Sequence, residues 1–175
     1  EKYTVNENIW CVKADKDGFL ISTGSHPLLK ISWEGKNIIS LIDKKVLDFE
    51  SGRGSAITSI SCDKWGRVWL NATGEYIAIL DFRASFMKRI TKSAINGLPY
   101  GTVVSIANTD SSVWVSDYHL SEIDRASGKI KKIYSPADLP GKPKGGIGQI
   151  FYDSSSKRLW LNASNKIYYY DLLKR

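Results

Sequence analysis

Histidine is scarce in this chain: His26 and His119 are the only two in 175 residues. A neutral imidazole binds metals and titrates near neutral pH, so a pair of them is the first place to look for acid-base or metal chemistry. Neither histidine has carboxylates or cysteines at ligand spacing, and the two cysteines, Cys11 and Cys62, do not form a zinc pattern. No Gly-x-Ser-x-Gly nucleophile motif and no phosphate-cradling glycine loop occurs. The sequence therefore predicts no catalytic residue, no metal and no cofactor, and it reads His26 and His119 as solvated loop histidines. What remains is binding chemistry: Asp117 and Tyr118 beside His119, and further aromatic, charged and hydrogen-bonding residues spaced through the chain.

The elements that must position these residues are announced by a repeated tryptophan. It stands in Arg67-Val68-Trp69-Leu70-Asn71-Ala72, in Ser112-Val113-Trp114-Val115-Ser116 and in Arg158-Leu159-Trp160-Leu161-Asn162-Ala163, at steps of 45 and 46 residues. Such a period marks a repeat architecture. A fainter copy, Gly18-Phe19-Leu20-Ile21-Ser22-Thr23, aligns Gly18 with Gly66 and puts Ile21 at the tryptophan position.

Each unit opens with an apolar/polar alternation such as Ala56-Ile57-Thr58-Ser59-Ile60-Ser61-Cys62, then makes a turn such as Asp63-Lys64-Trp65-Gly66. The tryptophan strand follows, then a third run ending in Asp81, Asp124 or Asp171, then a basic and apolar run such as Lys129-Ile130-Lys131-Lys132-Ile133-Tyr134. Period-two alternation with frequent turn residues predicts strands. Four short strands per unit make the blade of a β-propeller, so the predicted fold is all-β, about four blades of four antiparallel strands. The expected repeats are 6–50, 51–96, 97–142 and 143–175, with a further N-terminal strand at 1–5, all within a single propeller segment. Ile21, Trp69, Trp114 and Trp160 are expected in the core between blades.

Two classes of loop should emerge on one face: those between second and third strands, and those joining blades. They would gather His26, Glu75, Tyr76, Asp117, Tyr118 and His119, together with Arg53, Tyr100, Lys142 and Lys144. Rings beside charged and hydrogen-bonding groups suit a carbohydrate or peptide, and loops on a rigid scaffold carry most binding chemistry. Trp65, at the tip of the opposite turn between Lys64 and Arg67, is a candidate protein-contact anchor or a cap over its own hairpin.

The wording of the repeats resembles the two-component regulator propeller repeat. The resemblance rests on Ile57-Thr58-Ser59-Ile60-Ser61-Cys62-Asp63-Lys64-Trp65-Gly66-Arg67-Val68-Trp69 and on Gly97-Leu98-Pro99 ahead of Val103-Val104-Ser105-Ile106. It implies a periplasmic or extracellular sensor region of a membrane-anchored hybrid histidine kinase, responding to a carbohydrate or oligosaccharide. It also implies a ring of seven blades, of which this chain would be a part. The alternative is a non-catalytic assembly propeller of a cell-surface or secretion component. A propeller glycosidase or lyase is the third reading: the stretch from Ser61 to Trp69 faintly resembles the Asp-box turn of sialidases, but the arginines do not align in the ligand-facing loops.

Partners follow from the same features. The net charge is +7, yet Lys44-Lys45, Lys88-Arg89 and Lys131-Lys132 fall in or beside fourth strands, where lysines blunt edge pairing. No nucleic-acid motif accompanies them, so no nucleic acid is expected. No apolar run approaches the roughly 20 residues of a membrane span, so no direct membrane insertion is expected. An oligosaccharide, neighbouring blades or domains of a parent protein, and a second copy of the chain are the candidate partners. The chain starts without Met or a signal-like segment, the look of an excised or processed piece. Cys11 and Cys62 fall on opposite strand faces of neighbouring repeats and are expected as free thiols. Lys2-Tyr3-Thr4-Val5 resembles the fourth-strand endings and offers a strand to complete the last blade.

Overall fold

The computed structural model describes residues 8–24, 28–35, 37–42, 57–72, 76–91, 98 and 103–174. Blade 1 consists of β1 (Ile9–Asp15), β2 (Gly18–Thr23), β3 (Leu28–Ser32) and β4 (Ile38–Ile42). Blade 2 holds β5 (Ile57–Cys62), β6 (Val68–Ala72), β7 (Tyr76–Asp81) and β8 (Phe86–Thr91). Blade 3 holds β9 (Ser105–Asn108), β10 (Ser112–Ser116), β11 (Leu120–Asp124) and β12 (Ile130–Tyr134). Blade 4 shows three strands among the described residues: β13 (Ile150–Asp153), β14 (Arg158–Ala163) and β15 (Lys166–Asp171). Every sheet is an antiparallel meander in chain order. The first strands β1, β5, β9 and β13 lie side by side in succession, so the sheets stack as the four blades of a β-propeller. Lys2-Tyr3-Thr4-Val5 lies outside the described residues.

Burial explains why the sequence pattern differs from strand to strand. Tyr76-Ile77-Ala78-Ile79-Leu80 is continuously apolar and continuously buried, because blade 2 is covered on both faces. A strand covered on both sides has no solvent face on which to place a polar residue. The outer strand β12 reads Ile130-Lys131-Lys132-Ile133-Tyr134 and is mostly exposed, which puts its lysines on a blade edge.

Three apolar cores join the blades. Leu20, Leu28 and Ile42 of blade 1 meet Ile60, Val68, Leu70 and Ala78 of blade 2. Trp69, Ile77 and Ile79 of blade 2 meet Ile106, Val113 and Val115 of blade 3. Trp114, Leu120 and Tyr134 of blade 3 meet Ile150, Leu159 and Leu161 of blade 4. Trp69 and Trp114 are fully buried, and each contributes a large apolar area to one junction.

The first repeat is corrected by one position. Leu20, not Ile21, points toward the following blade as Trp69 and Trp114 do. Ile21 is buried on the other face of its sheet, paired across the strands with Val12 and Leu29. The cause is the shorter turn between β1 and β2, where Asp15 pairs directly with Gly18. Trp160 is also corrected. It is half-buried, packed against Tyr169 at 5.5 Å between ring centroids, because no described residue covers that face of blade 4.

Cys11 and Cys62 are both free and half-buried, and both pack on the core between blades 1 and 2. Opposite strand faces of neighbouring blades look into the same junction, so the two thiols share one interface. Burial pushes the Cys62 thiol up to about 11 and raises the Cys11 thiol. Low dielectric disfavours the thiolate in both cases.

Candidate functional site

One end of the stack carries the turns between first and second strands and between third and fourth strands; the other carries the remaining loops. At the first end the Asp63 turn is a structural hub. Its buried carboxylate accepts from the backbone N–H groups of Trp65 and Arg67, both at 3.0 Å. It also accepts from Arg67 Nε at 2.8 Å and Trp69 Nε1 at 3.1 Å. A buried carboxylate needs such a set of donors to replace the hydrogen bonds it would make with water. Gly66 closes the turn at φ 78°, a conformation that glycine adopts without steric cost.

Trp65 stands at the tip of this turn and is 42% exposed. Its ring carries Lys64 at 5.2 Å, Arg67 at 4.8 Å and Arg125 of blade 3 at 5.4 Å. Arg125 is buried, and its own carbonyl accepts from Arg67 Nη2. Trp65 therefore neither stands alone on the surface nor folds only over its own hairpin: it shares three cations with the junction of blades 2 and 3.

The same end holds a cleft of about 420 Å³ lined by Lys64, Asn108, Asp110, Arg125 and Tyr152 among others. Asp110 accepts from Lys157 Nζ at 2.8 Å and from Tyr152 Oη at 3.1 Å. These contacts hold its carboxyl below the usual carboxylate range. The sequence reading missed this trio, since its members lie 42 and 47 residues from Asp110 and meet only when blades 3 and 4 stack.

The opposite end gathers part of the predicted ligand face. Tyr118 tops the tight turn from β10 to β11 and is 47% exposed. The turn is held by Asp117, which is buried and accepts from the His119 backbone N–H at 2.5 Å. Tyr118 and His119 meet edge to face at 5.4 Å. Asp117 thus serves the turn's geometry.

The loop joining blades 3 and 4 lies against this turn. Ile147 N–H donates to Tyr118 O at 3.3 Å, and Ser116 Oγ donates to Gly148 O at 2.5 Å. A Cβ on Gly146 would come within 2.9 Å of the Tyr118 ring, and a Cβ on Gly141 within 3.0 Å of the Tyr168 ring. Glycine at both positions lets the backbone approach two tyrosines. Lys142, at φ 41°, and Lys144 are exposed on the span between them. A cleft of about 440 Å³ lined by Pro140, Gly141, Tyr168, Tyr169 and Tyr170 among others adjoins that span.

Of the predicted ligand residues, Tyr118 and His119 are brought together with the loop that carries Lys142 and Lys144. Tyr76 is a correction: it is buried in the core between blades 1 and 2, under Arg89 at 5.1 Å. It opens a strand whose apolar residues are all buried, so its ring is drawn inward. His26, Arg53, Glu75 and Tyr100 lie outside the described residues. Among the described residues no group of three or more His, Cys, Asp and Glu is placed to hold a metal ion. Among them also, no helix is long and apolar enough to cross a membrane.

Known structures share the architecture. The extracellular domain of the hybrid two-component system BT3049 from B. thetaiotaomicron superposes with TM-score 0.68 at 17% identity, over 94% of this chain and 22% of that one. RRP9 WD40 repeats superpose with TM-score 0.68 at 9% identity, over 98% of this chain and 50% of that one. Virginiamycin B lyase from Staphylococcus aureus gives TM-score 0.61 at 16% identity, over 96% of this chain and 57% of that one. At such identities the likeness is one of fold: this chain spans between 22% and 57% of the length of these larger propellers. No family model matches the chain, and no curated protein matches it.

Proposed function

We propose that this chain is a recognition segment of an extracytoplasmic sensor propeller, binding an oligosaccharide at the loop end of blades 3 and 4. One observation carries the reading: the loop bearing Lys142 and Lys144 is held between the Tyr118 and Tyr168 rings, with His119 against Tyr118. An exposed ring can stack on a sugar face, and flanking ammonium groups favour hydroxyl-rich or acidic sugars. The likeness to the extracellular domain of a two-component system supports placing such a segment in a membrane-anchored signalling protein, as its periplasmic or extracellular part. Propellers host many activities, so the site and not the fold must bear the argument. In this reading the segment binds without catalysing a reaction, and a parent histidine kinase would supply the output. A ligand would act by differing in affinity between two arrangements of the parent.

The second reading, an assembly propeller, draws on the exposed apolar faces of blades 1 and 4 and on the likeness to WD40 repeats. Calorimetric titration with size-defined neutral and uronic-acid oligosaccharides tests the first. Binding that falls at least tenfold in Tyr118→Ala, and is weakened by Lys142→Ala with Lys144→Ala, supports it. Absence of binding across both sugar classes, or binding indifferent to Tyr118, rejects it.

A further inference from the structure

The turns between first and second strands carry chemistry that the loop face at the opposite end does not use. In blades 2, 3 and 4 they hold Asp63-Lys64-Trp65-Gly66, Thr109-Asp110-Ser111 and Ser154-Ser155-Ser156-Lys157. The strands that lead into them, β5, β9 and β13, lie side by side, so the turns of successive blades meet around the cleft of about 420 Å³. Small-molecule sites occupy about 300–1,000 Å³, and this cleft falls within that range.

Arg125 forms part of the cleft wall and is 3% exposed. A guanidinium has five N–H donors and no acceptor. Nη1 donates to Asp110 O at 3.1 Å and Nη2 to Ser112 O at 3.5 Å. Nε is enclosed and has no hydrogen-bond partner among the described residues. The two carboxylates that act on Arg125 through space are both engaged elsewhere: Asp63 holds Arg67 at 2.8 Å and Asp110 holds Lys157 at 2.8 Å. Arg125 is thus a buried cation kept by two neutral carbonyls and by the Trp65 ring at 5.4 Å, with no counter-ion of its own among the described residues. A buried charge without a close partner is costly, and an anion brought to it relieves that cost.

Two neighbours give such a ligand its character. Lys64 also lines the cleft, is exposed, and sits over the Trp65 ring at 5.2 Å. Of the charged groups lining the cleft, Lys64 and Arg125 face one carboxylate, Asp110, which Lys157 already neutralises. The excess is positive. Asn108 supplies the opposite polarity: its Nδ2 donates to Ser61 Oγ at 2.9 Å, while its Oδ1 is buried and has no donor among the described residues. That acceptor suits a hydroxyl beside the anion. The Tyr152 hydroxyl, which donates to Asp110 at 3.1 Å, keeps lone pairs for another.

We propose that this cleft binds a small polyhydroxy carboxylate, its carboxylate set between Lys64 and the remaining N–H groups of Arg125 and its hydroxyls against Asn108 and Tyr152. Guanidinium and carboxylate pair through charge-assisted hydrogen bonds, which are stronger than neutral ones. The cleft is built by junctions within the chain, at the end of the stack away from Tyr118 and Tyr168, and it is independent of the oligosaccharide reading.

Calorimetric titration with probes of equal carbon number tests it: gluconate has the carboxylate and the hydroxyls, sorbitol the hydroxyls alone, and hexanoate the carboxylate alone. Gluconate is expected to bind at least about tenfold more tightly than either of the others, and less tightly as salt is raised. Lys64→Glu reverses the charge of an exposed side chain and should weaken gluconate by about tenfold or more. Arg125→Lys keeps the charge, removes the planar fork and should weaken it as well, with circular dichroism checking that the fold survives. Tyr118→Ala should leave gluconate binding unchanged. No gluconate binding at millimolar concentration, equal binding of all the probes, or binding that Lys64→Glu leaves intact overturns the proposal. Gluconate binding that is lost in Tyr118→Ala belongs to the opposite end and likewise overturns it, whereas oligosaccharide binding at Tyr118 can fail without touching this site.

Discussion

Two runs of six residues, nearly identical, have opposite surroundings. In blade 2, Arg67, Trp69 and Asn71 are enclosed: Trp69 is fully buried, Asn71 is buried, and Arg67 spans the junction to Arg125. In blade 4, Arg158 stacks on Tyr169 of its own sheet at 4.6 Å, Trp160 is half-buried and Asn162 faces outward. The difference lies in the neighbour, not in the strand. A blade presents a fixed pattern of groups, and whether that pattern is core or surface is decided by what stacks on it.

The tryptophans should separate the two regions most widely. Trp69→Ala leaves a cavity in the core between blades 2 and 3 and is expected to cost about 3–5 kcal/mol. Trp160→Ala removes a half-exposed ring and should cost roughly 1 kcal/mol or less. Urea unfolding of both gives the comparison. Equal losses would mean that the face of blade 4 is covered in solution.

The turns come next. Asp63→Ala strips the acceptor from four donors and leaves the Arg67 guanidinium, only 15% exposed, without its carboxylate. Breaking such a buried pair costs about 3–5 kcal/mol at most, and less where the arginine reaches water. Asp153, in the corresponding turn of blade 4, accepts from Ser155 and Ser156. Asp153→Ala should lower the melting temperature much less than Asp63→Ala does. A large loss at Asp153 in thermal unfolding would show that its turn is as central as that of Asp63.

The smallest effect is on acid stability, and it is shared by blades 3 and 4. The Ser127 backbone N–H and hydroxyl hold the Asp124 carboxyl at about 2, and the Ser155 and Ser156 hydroxyls hold Asp153 at about 2. A carboxyl depressed in the folded state stabilises it above the unfolded value, near 4, and that contribution is lost as pH falls toward about 2. The melting temperature should therefore decline over that window, and Asp124→Asn should shallow the decline. An unchanged slope would remove Asp124 from the account.

Much of the fold was legible because period-two alternation and a 45-residue recurrence are local in sequence. The turn chemistry was legible in part: Asp63 and Gly66 announced a turn, though not that the carboxylate would also bind the Trp69 indole. The first repeat was misaligned by one residue because a glycine match outweighed the shorter β1–β2 turn, and one step along a strand moves every side chain to the other face. Of the candidate site, Tyr118 and His119 stood out as a pair in sequence. The two glycines that let the loop of Lys142 and Lys144 approach Tyr118 and Tyr168 did not, since only the fold brings those backbones and rings together.

The sequence by itself determined the strands, their order within each blade and the four-fold repetition, since these depend on alternation, turn residues and spacing along one chain. Tertiary structure alone decided which side of each strand became core, that Tyr76 turned inward and Trp160 outward, and that Asp110 met Tyr152 and Lys157. Those outcomes depend on how one sheet stacks on the next, and a blade carries both of its faces in its sequence without recording which of them will be covered.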